Sequence, residues 1–201
     1  YKQVVDIDSG VLTTDLNLLV GGEYIKTVRE LVVNEDGVVA YRIVNGGNKP
    51  FVFRLTARDS VFGRLEYTVK EDGFLAKCNL RKDTENHAYV RVKAASEAGF
   101  AVRNDGTLVF EPTDKPLYIY LAPESDLTFE EEHNPIVNAE NIAEAASLAG
   151  FDATVAAAKK WYKNYYSTGR VSIPDLGMAK WYVRSLYYHA VSMAGTRVPP
   201  G

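Results

Sequence analysis

The sequence is poor in the residues that build disulfides and metal sites. Cys78 is the single cysteine in 201 residues, which excludes an intramolecular disulfide and argues against a thiolate-rich zinc site. The three histidines, His87, His133 and His189, lie far apart and have no metal-binding spacing. We therefore expect neither a metal ion nor an organic cofactor in this chain.

An excess of positive charge is also absent. Lysine and arginine total 23 against 26 aspartates and glutamates, which gives a formal net charge of −3 at pH 7. Nucleic-acid-binding domains usually show a basic excess or a basic stripe, so this class is not expected. No run approaches the ~20 apolar residues of a membrane span. Glycine-rich phosphate loops and the Gly-x-Ser-x-Gly nucleophile elbow are missing as well.

Short runs with strand periodicity fill residues 1 to about 122. Apolar and polar residues alternate clearly in 51–56 and 89–93, and less strictly in 10–18 and 23–31. This period-2 pattern predicts strands with one face on a core and the other in water. Glycine-containing turn signals separate the runs, at 20–22, 34–37, 45–48, 72–73 and 104–106. Strands at a spacing of about 8–12 residues predict an antiparallel β-sandwich.

Proline bounds the last predicted strand of the sandwich. Pro116 opens it, and Pro123 ends it after residues 117–122. The following segment, 124–135, contains the acidic run Glu130-Glu131-Glu132. We interpret this run as a solvated linker, with an acidic lip near a ligand as the alternative.

From residue 138 the periodicity becomes helical. Asn138 is predicted to cap a helix that Gly150 ends, and Asp152 to cap a second helix that breaks at 167–169. Pro174 and Asp175 open a third helix, which Gly195 ends. The third helix is apolar and aromatic over more than one face, so it is expected to be buried among other helices. Further chain or a partner is expected to cover it.

Residue types that carry chemistry are present without a diagnostic spacing. Five carboxylates on or beside strands are interpreted as surface groups, with an acid–base pair as the open alternative: Asp6, Asp8, Asp15, Asp59 and Glu66. His189 is expected to be a buried, satisfied histidine and Cys78 a small packed residue. Four aromatic residues could stack on sugar rings, although core packing is favoured at their helical spacing: Trp161, Tyr162, Tyr165 and Tyr166.

Residues 159–201 carry the most specific pattern. The aromatic helix end KKWYKNYY precedes the segment VSIPD, and the helix end WYVRSLYY and the loop TRVPPG follow. This order resembles the junction in glycoside hydrolases of families 95 and 65, where an N-terminal β-sandwich leads through linker helices into an (α/α)6 catalytic barrel. The N-terminal stretches VVDIDSGVLTTD and VRELVVNEDGVVAYRI resemble the sandwich of the same enzymes.

The resemblance implies a domain organisation. Residues 1–135 would form a supersandwich-like antiparallel β-sandwich, 136–169 linker helices, and 170–201 the start of an incomplete helical-barrel domain. The third helix would be the first helix of this truncated barrel. The two carboxylates that cleave a glycosidic bond would lie deeper in the barrel, beyond residue 201. We therefore assign no catalytic residue and expect the 201 residues alone to be inactive.

The resemblance also implies a position for the last loop. Arg197 and Pro200 would lie at the rim or floor of the substrate pocket and are the candidate substrate-binding residues. A loop that only connects barrel helices is the alternative interpretation.

Three functions follow from these observations. The first is the non-catalytic N-terminal part of a glycoside hydrolase that acts on a glycan, in the periplasm or secreted because polymeric glycans lie outside the cytoplasm. The second is a self-standing carbohydrate-binding module with a row of exposed aromatics such as Tyr24, Phe51, Phe53 or Tyr67. The third is an assembly domain that buries its third helix in an oligomer.

Overall fold

The computed structural model describes residues 1–57, 64–79, 85–127, 133–168 and 171–195. Within these ranges eleven strands precede three helices. The strands are β1 (Lys2–Asp6), β2 (Val11–Val20), β3 (Glu23–Val33), β4 (Val39–Asn45), β5 (Phe51–Arg54), β6 (Glu66–Lys70), β7 (Gly73–Asn79), β8 (His87–Ala95), β9 (Phe100–Val102), β10 (Thr107–Phe110) and β11 (Leu117–Ser125). The helices are α1 (Pro135–Ala149), α2 (Phe151–Ser167) and α3 (Leu176–Met193). None of the helices in the described ranges has the length and apolarity needed to cross a membrane.

Two antiparallel sheets confirm the predicted mainly β sandwich. The larger sheet has eight strands in the order β1-β2-β3-β4-β11-β8-β7-β6, and the smaller has three in the order β5-β10-β9. One apolar cluster lies between the sheets, where Leu108 and Phe110 of β10 pack against Phe74 and Ile119 of the larger sheet. A second cluster lies on the opposite face of the larger sheet, against the helices. The protein therefore has three layers, with the larger sheet in the middle.

Strand β11 shows why the middle sheet has no face in water at its centre. Leu117 and Ile119 belong to the cluster between the sheets, whereas Tyr118 and Tyr120 pack in the helix-side cluster. Arg91 of β8 also lies on the helix side of the sheet, and it is 3% exposed because α1 covers it. The prediction that one face of each strand contacts water is therefore wrong for β8, because the helices cover that face.

Pro123 does not end β11 as the sequence predicts. The strand continues to Ser125, and Pro123 pairs with Val90 of β8. Pairing with β4 stops at Leu121, so among the described residues β11 has a neighbouring strand on one side only beyond this point. A strand with one free side tolerates a residue that lacks the N–H donor.

The helix caps differ in part from the prediction. Asn134, four residues before the predicted Asn138, caps α1 by accepting hydrogen bonds from the Ile136 and Val137 N–H groups. Asp152 lies in the first turn of α2, and its carboxylate binds Arg42 at 2.9 Å instead of capping. Asp175 does cap α3, accepting from the Met178 N–H at 2.8 Å, and Pro174 precedes this cap.

Ion pairs fix the helix layer to the sheet. The buried Arg91 side chain contacts Asp72 of the β6–β7 turn and Glu140 of α1, the latter at 2.8 Å. Lys93 of β8 contacts Asp72 at 3.1 Å and also pairs with Glu144 of α1. Because these carboxylates come from two different layers, the basic side chains of β8 hold α1 against the strands.

Candidate functional site

The most unusual surface of the protein is the outer face of α3. Its described residues include a stripe with 3-4-3-4 spacing, which we call the α3 stripe: Met178, Trp181, Ser185, Tyr188 and Ser192. The three large side chains are 65%, 67% and 63% exposed, respectively. This spacing is the one with which a helix packs against a neighbouring helix, and the serines leave room between the large side chains. The apolar face that the sequence predicts to be covered by further chain or a partner is thus exposed in the described residues.

The opposite side of α3 holds the helix on the protein. Tyr187 and Ala190 are its buried residues, and the ring of Tyr187 lies 5.8 Å from that of Tyr162 on α2. After the helix, the N–H of Gly195 donates to the carbonyl of Glu35 at 2.9 Å. The β3–β4 turn approaches here so closely that a Cβ on Gly37 would lie 3.0 Å from the Ala194 carbonyl oxygen. One narrow contact line therefore positions α3 and leaves the stripe uncovered.

Aromatic side chains at the end of α2 form the base of this contact line. Tyr162 is fully buried, with Trp161, Tyr166 and Tyr187 rings around it at 4.8–6.0 Å. Burial raises the pKa of Tyr166 to about 12, with smaller contributions from Tyr187 and Asp8. The interpretation of these aromatics as core packing is therefore correct for Tyr162, which no sugar ring can reach.

His189 is exposed, so its predicted burial is wrong. It lies on α3 at the edge of the contact line, and its Nδ1 is hydrogen-bonded to the Tyr165 hydroxyl at 2.8 Å. The two rings are stacked with centroids 6.4 Å apart. A partner from α2 thus satisfies the imidazole without burying it.

Two concave surfaces flank the helices. A cleft of about 390 Å³ lies between the β1–β2 turn, the end of α2 and the start of α3, and Asp8, Tyr166, Ser172 and Tyr182 are its polar lining residues. A groove of about 460 Å³ lies between α1, α2 and the β3–β4 turn, with five alanines in its lining. Asp8 alone carries a charge among the described residues of the cleft, and Asp36 alone in the groove. Neither holds the pair of carboxylates that glycoside cleavage needs.

Two of the carboxylates singled out in the sequence, Asp6 and Glu66, lie far apart and form no pair. Asp6 on β1 and Glu66 on β6 lie at opposite edges of the eight-stranded sheet. The Asp6 carboxylate accepts hydrogen bonds from the Asp8 N–H and the Ser9 hydroxyl within its own turn. Within the described ranges, no group of three or more His, Cys, Asp or Glu side chains is arranged to hold a metal ion.

The four aromatic residues predicted to form an exposed sugar-binding row do not lie together on the surface. Phe51 packs on Phe110, and Tyr67 packs edge-on against Phe74, so both belong to the cluster between the sheets. Phe53 belongs to the same cluster and contacts Tyr41. Tyr24 is 79% exposed at the β2–β3 hairpin, away from the other three. A row of exposed rings formed by these four residues is therefore excluded.

Several sequence predictions lie outside the described residues. These are the candidate substrate-binding residues Arg197 and Pro200, the carboxylate Asp59 and the acidic run Glu130-Glu131-Glu132. They stay predictions. The structure adds one feature that the sequence analysis missed, the buried Arg91 with its acidic partners Asp72 and Glu140, whose role is structural. Its position in an alternating strand gives the same signal as a solvent-exposed arginine.

Comparison with known proteins gives a match in structure alone. No family model and no curated protein matches the sequence. A solved structure described as "Putative kojibiose phosphorylase from human microbiome" superimposes with a TM-score of 0.66 over 96% of this chain, at 12% sequence identity. This chain spans 28% of the length of that structure. At this identity the likeness establishes the fold: the chain has the fold of a segment of a protein described as a glycoside phosphorylase.

Proposed function

We propose that this chain is the β-sandwich and linker part of a larger carbohydrate-active enzyme, a glycoside hydrolase or phosphorylase. Its role is to support a helical catalytic domain, and the α3 stripe is the surface on which helices of that domain pack. The substrate is a glycan, and the enzyme works in the periplasm or outside the cell. We include phosphorolysis as well as hydrolysis among the proposed reactions because the matching solved structure is described as a phosphorylase.

The observation that carries this proposal is the exposure of the α3 stripe. Large apolar side chains at helix-packing spacing cost free energy in water, of the order of 25 cal/mol for each Å² of apolar surface. A partner that buries Met178, Trp181 and Tyr188 recovers this free energy. Further helices of the same polypeptide suit the 3-4-3-4 spacing, and the matching solved structure is more than three times as long as this chain.

The rest of the chain holds α3 in place for such a partner. The aromatic side chains around Tyr162 join α3 to α2, and the Arg91 ion pairs join α1 to the sheet. Arg197 and Pro200 follow α3 in the sequence, and under this proposal they contribute to the substrate pocket. In the alternative, an oligomer of the 201-residue chain buries the α3 stripe, and this outcome is one of the contradicting results given below.

The test uses the polypeptide encoded by the complete reading frame. We expect helical sequence after residue 201 and cleavage of aryl glycosides or disaccharides, with a phosphate requirement if the reaction is phosphorolysis. Trp181→Glu should lower the melting temperature of this longer protein by several degrees but leave that of the 201-residue chain unchanged. Leu148→Glu, at an apolar residue 79% exposed on α1, is the matched control and should affect neither protein.

Two results would contradict the proposal. One is a reading frame that stops at Gly201, together with burial of the α3 stripe in an oligomer of the 201-residue chain. The other is a longer protein in which Trp181→Glu and Leu148→Glu have equal, negligible effects.

A further inference from the structure

The cleft beside α3 is formed by three separate parts of the chain. It lies between the β1–β2 turn, the end of α2 and the start of α3, and its volume is about 390 Å³. Sites for small molecules usually measure ~300–1,000 Å³, so the cleft lies near the lower end of that range. It therefore has the size of a site for one small ligand.

The cleft and the α3 stripe lie on different sides of the same helix. Tyr182, Val183 and Leu186 are the α3 residues that line the cleft. At 3.6 residues per turn, these three positions are centred about a third of a turn away from the centre of the stripe. A helix that packs on the α3 stripe therefore approaches from another direction and does not by itself fill the cleft.

Tyrosine rings and aliphatic side chains give the cleft an apolar floor. The Tyr166 ring is stacked on the ring of Tyr162 at a centroid distance of 6.0 Å, and this contact holds Tyr166 in place. Tyr182, Ile7 and Leu186 are half-buried residues of the same lining. The face of an aromatic ring carries partial negative charge, so it attracts the C–H groups of a ligand. The floor thus suits a ligand with an apolar face.

Polar groups lie at the rim of the cleft and behind its floor. Asp8 and Ser172 are exposed residues of the lining. The Asp8 main-chain N–H is hydrogen-bonded within its turn, but its carboxylate has no hydrogen bond or ion pair within the described residues. The Tyr166 hydroxyl is buried and has no hydrogen-bond partner in the same part of the chain. The rim therefore offers an unused acceptor next to the aromatic floor.

Charge and hydrogen-bonding capacity limit the class of ligand. Asp8 is the one charged group in the described lining, so an anionic ligand such as a phosphate ester is disfavoured. An organic amine would bind the carboxylate and the rings but would leave the Ser172 hydroxyl unused. A neutral pyranose ring has C–H groups for the tyrosine rings and hydroxyls that can bond to both Asp8 and Ser172. A sugar therefore uses more of the lining than the other two classes.

We propose that the cleft binds one neutral hexopyranose unit of a glycan, away from the site of bond cleavage. The Asp8 carboxylate accepts hydrogen bonds from sugar hydroxyls, and the Tyr182 ring packs on the C–H face of the sugar. This inference rests on the proposed function and deepens it, because it names a second place at which the enzyme holds its glycan. The cleft has an open rim and one charged group, so we expect a dissociation constant on the order of 1 mM for a disaccharide.

The first test is a titration of the 201-residue chain, ¹³C-labelled in its Ile, Leu and Val methyl groups, with maltose and with kojibiose up to about 50 mM. The methyl signals of Ile7, Val183 and Leu186 should shift until the site is saturated, whereas those of Leu148 on α1 should stay in place. Asp8→Asn should weaken binding at least about tenfold, because hydrogen bonds to a charged acceptor are the stronger ones. Asp114→Asn, at an exposed aspartate outside the cleft, is the matched control and should retain the affinity.

The second test separates the Tyr182 ring from its hydroxyl. Tyr182→Phe should keep the sugar affinity within about twofold, because the ring provides the contact. Tyr182→Ala should lower the affinity at least about fivefold. The melting temperature of each variant shows whether the chain remains folded.

Three results would overturn the proposal. These are the absence of a saturable shift at 50 mM sugar, equal shifts at Leu148, and unchanged binding in Asp8→Asn. Shifts with benzylammonium chloride but with neither sugar would also overturn it, because they would assign the cleft to organic amines.

Failure of this inference can be distinguished from failure of the proposed function. A longer protein that cleaves glycosides while the cleft methyl signals stay in place would contradict this inference alone. Sugar binding in the cleft, together with a reading frame that stops at Gly201, would contradict the proposed function and leave the sugar site.

Discussion

The hydroxyl of Tyr162 donates a hydrogen bond to the main-chain carbonyl of Val33, 3.3 Å away and 129 residues earlier in the chain. This contact joins the C-terminal half of α2 to the end of β3, directly before the turn that contacts the end of α3. Tyr162 is fully buried, and burial is the main reason that the pKa of its hydroxyl is raised far above the ordinary value. The side chain is therefore a neutral hydrogen-bond donor at pH 7.

Substitution of Tyr162 separates the hydrogen bond from the packing. Tyr162→Phe should lower the free energy of unfolding by about 1 kcal/mol, the net worth of one hydrogen bond. Tyr162→Ala should lower it by about 3–5 kcal/mol, because a large aromatic ring leaves a cavity. Urea denaturation measures both values. Equal effects of the two variants would show that the ring contributes nothing beyond its hydroxyl.

Gly10 is the second position at which this packing is sensitive. It has a φ of +70°, and a Cβ there would lie 2.0 Å from the Tyr162 ring. Gly22 has a φ of +87° with no atom within 4 Å of its Cβ position, so it is the matched control for backbone strain alone. Gly22→Ala should cost roughly 1 kcal/mol, and Gly10→Ala should cost at least about 2 kcal/mol more because the ring must move.

Similar losses for these two glycine variants would contradict the close approach of the β1–β2 turn to α2. The comparison is made by urea denaturation at one pH, with near-UV circular dichroism to report the environment of the tyrosines. Gly10→Ala should change that spectrum, and Gly22→Ala should leave it unaltered.

The ion pairs under α1 make stability depend on acid pH. Burial raises the pKa of Glu140, but hydrogen bonds from Lys70 and Arg91 outweigh it and hold that pKa below its ordinary 4.5. Burial likewise opposes the hydrogen bonds from Arg91 and Lys93 that lower the pKa of Asp72 below 3.8. Carboxylates with a lowered folded-state pKa stabilise the fold above the ordinary pKa and lose this effect as the pH falls.

We therefore expect the free energy of unfolding to fall as the pH drops below about 4.5. Glu140→Gln should flatten this dependence and lower stability at pH 7. Glu111→Gln, at an exposed glutamate outside the network, should leave both unchanged. Urea denaturation between pH 3 and 7 measures the pH dependence of the free energy of unfolding for each variant. The same dependence in Glu140→Gln as in the unmodified chain would contradict the assigned role of this side chain.

Local sequence signals predicted much of the strand layer. The predicted turns at 21–22, 36–37 and 72–73 each connect the two strands of a hairpin in the structure. Their glycines have positive φ angles, which other residues rarely adopt. Three-layer stacking could not be predicted in the same way. It depends on β11 pairing with β4 and β8, which are far away in the sequence, and alternation says nothing about which strands become neighbours.

Tertiary contacts, which local patterns do not show, also explain two wrong predictions, the water-facing side of β8 at Arg91 and the helix cap at Asn138. Arginine in an alternating strand indicates a polar face, and only the packing of α1 turns that face into a buried ion-pair site. Asn134 and Asn138 are both acceptable caps by residue type. Asn134 is used because the chain becomes helical at Pro135, which fits the first turn of a helix without needing an N–H donor.

The α3 stripe predicts a solution property of the isolated chain. The double variant Trp181→Ser/Tyr188→Ser should bind less of a hydrophobic dye such as ANS than the unmodified chain. Its free energy of unfolding should change by about 1 kcal/mol or less, because the two rings are exposed and contact only neighbours on α3, Trp181 with Arg184 and Tyr188 with Tyr187. Dye fluorescence and urea denaturation report the two quantities. A loss of several kcal/mol would mean that these side chains are packed within the 201 residues.

The most direct test of the account is hydrogen–deuterium exchange of the α3 segment, 176–193, followed by mass spectrometry. The measurement compares the 201-residue chain with the polypeptide encoded by the complete reading frame. If helices of a catalytic domain pack on the α3 stripe, backbone amides of this segment should exchange at least 100-fold more slowly in the longer protein. Equal exchange in the two proteins would contradict the proposal that α3 joins the sandwich to a catalytic domain.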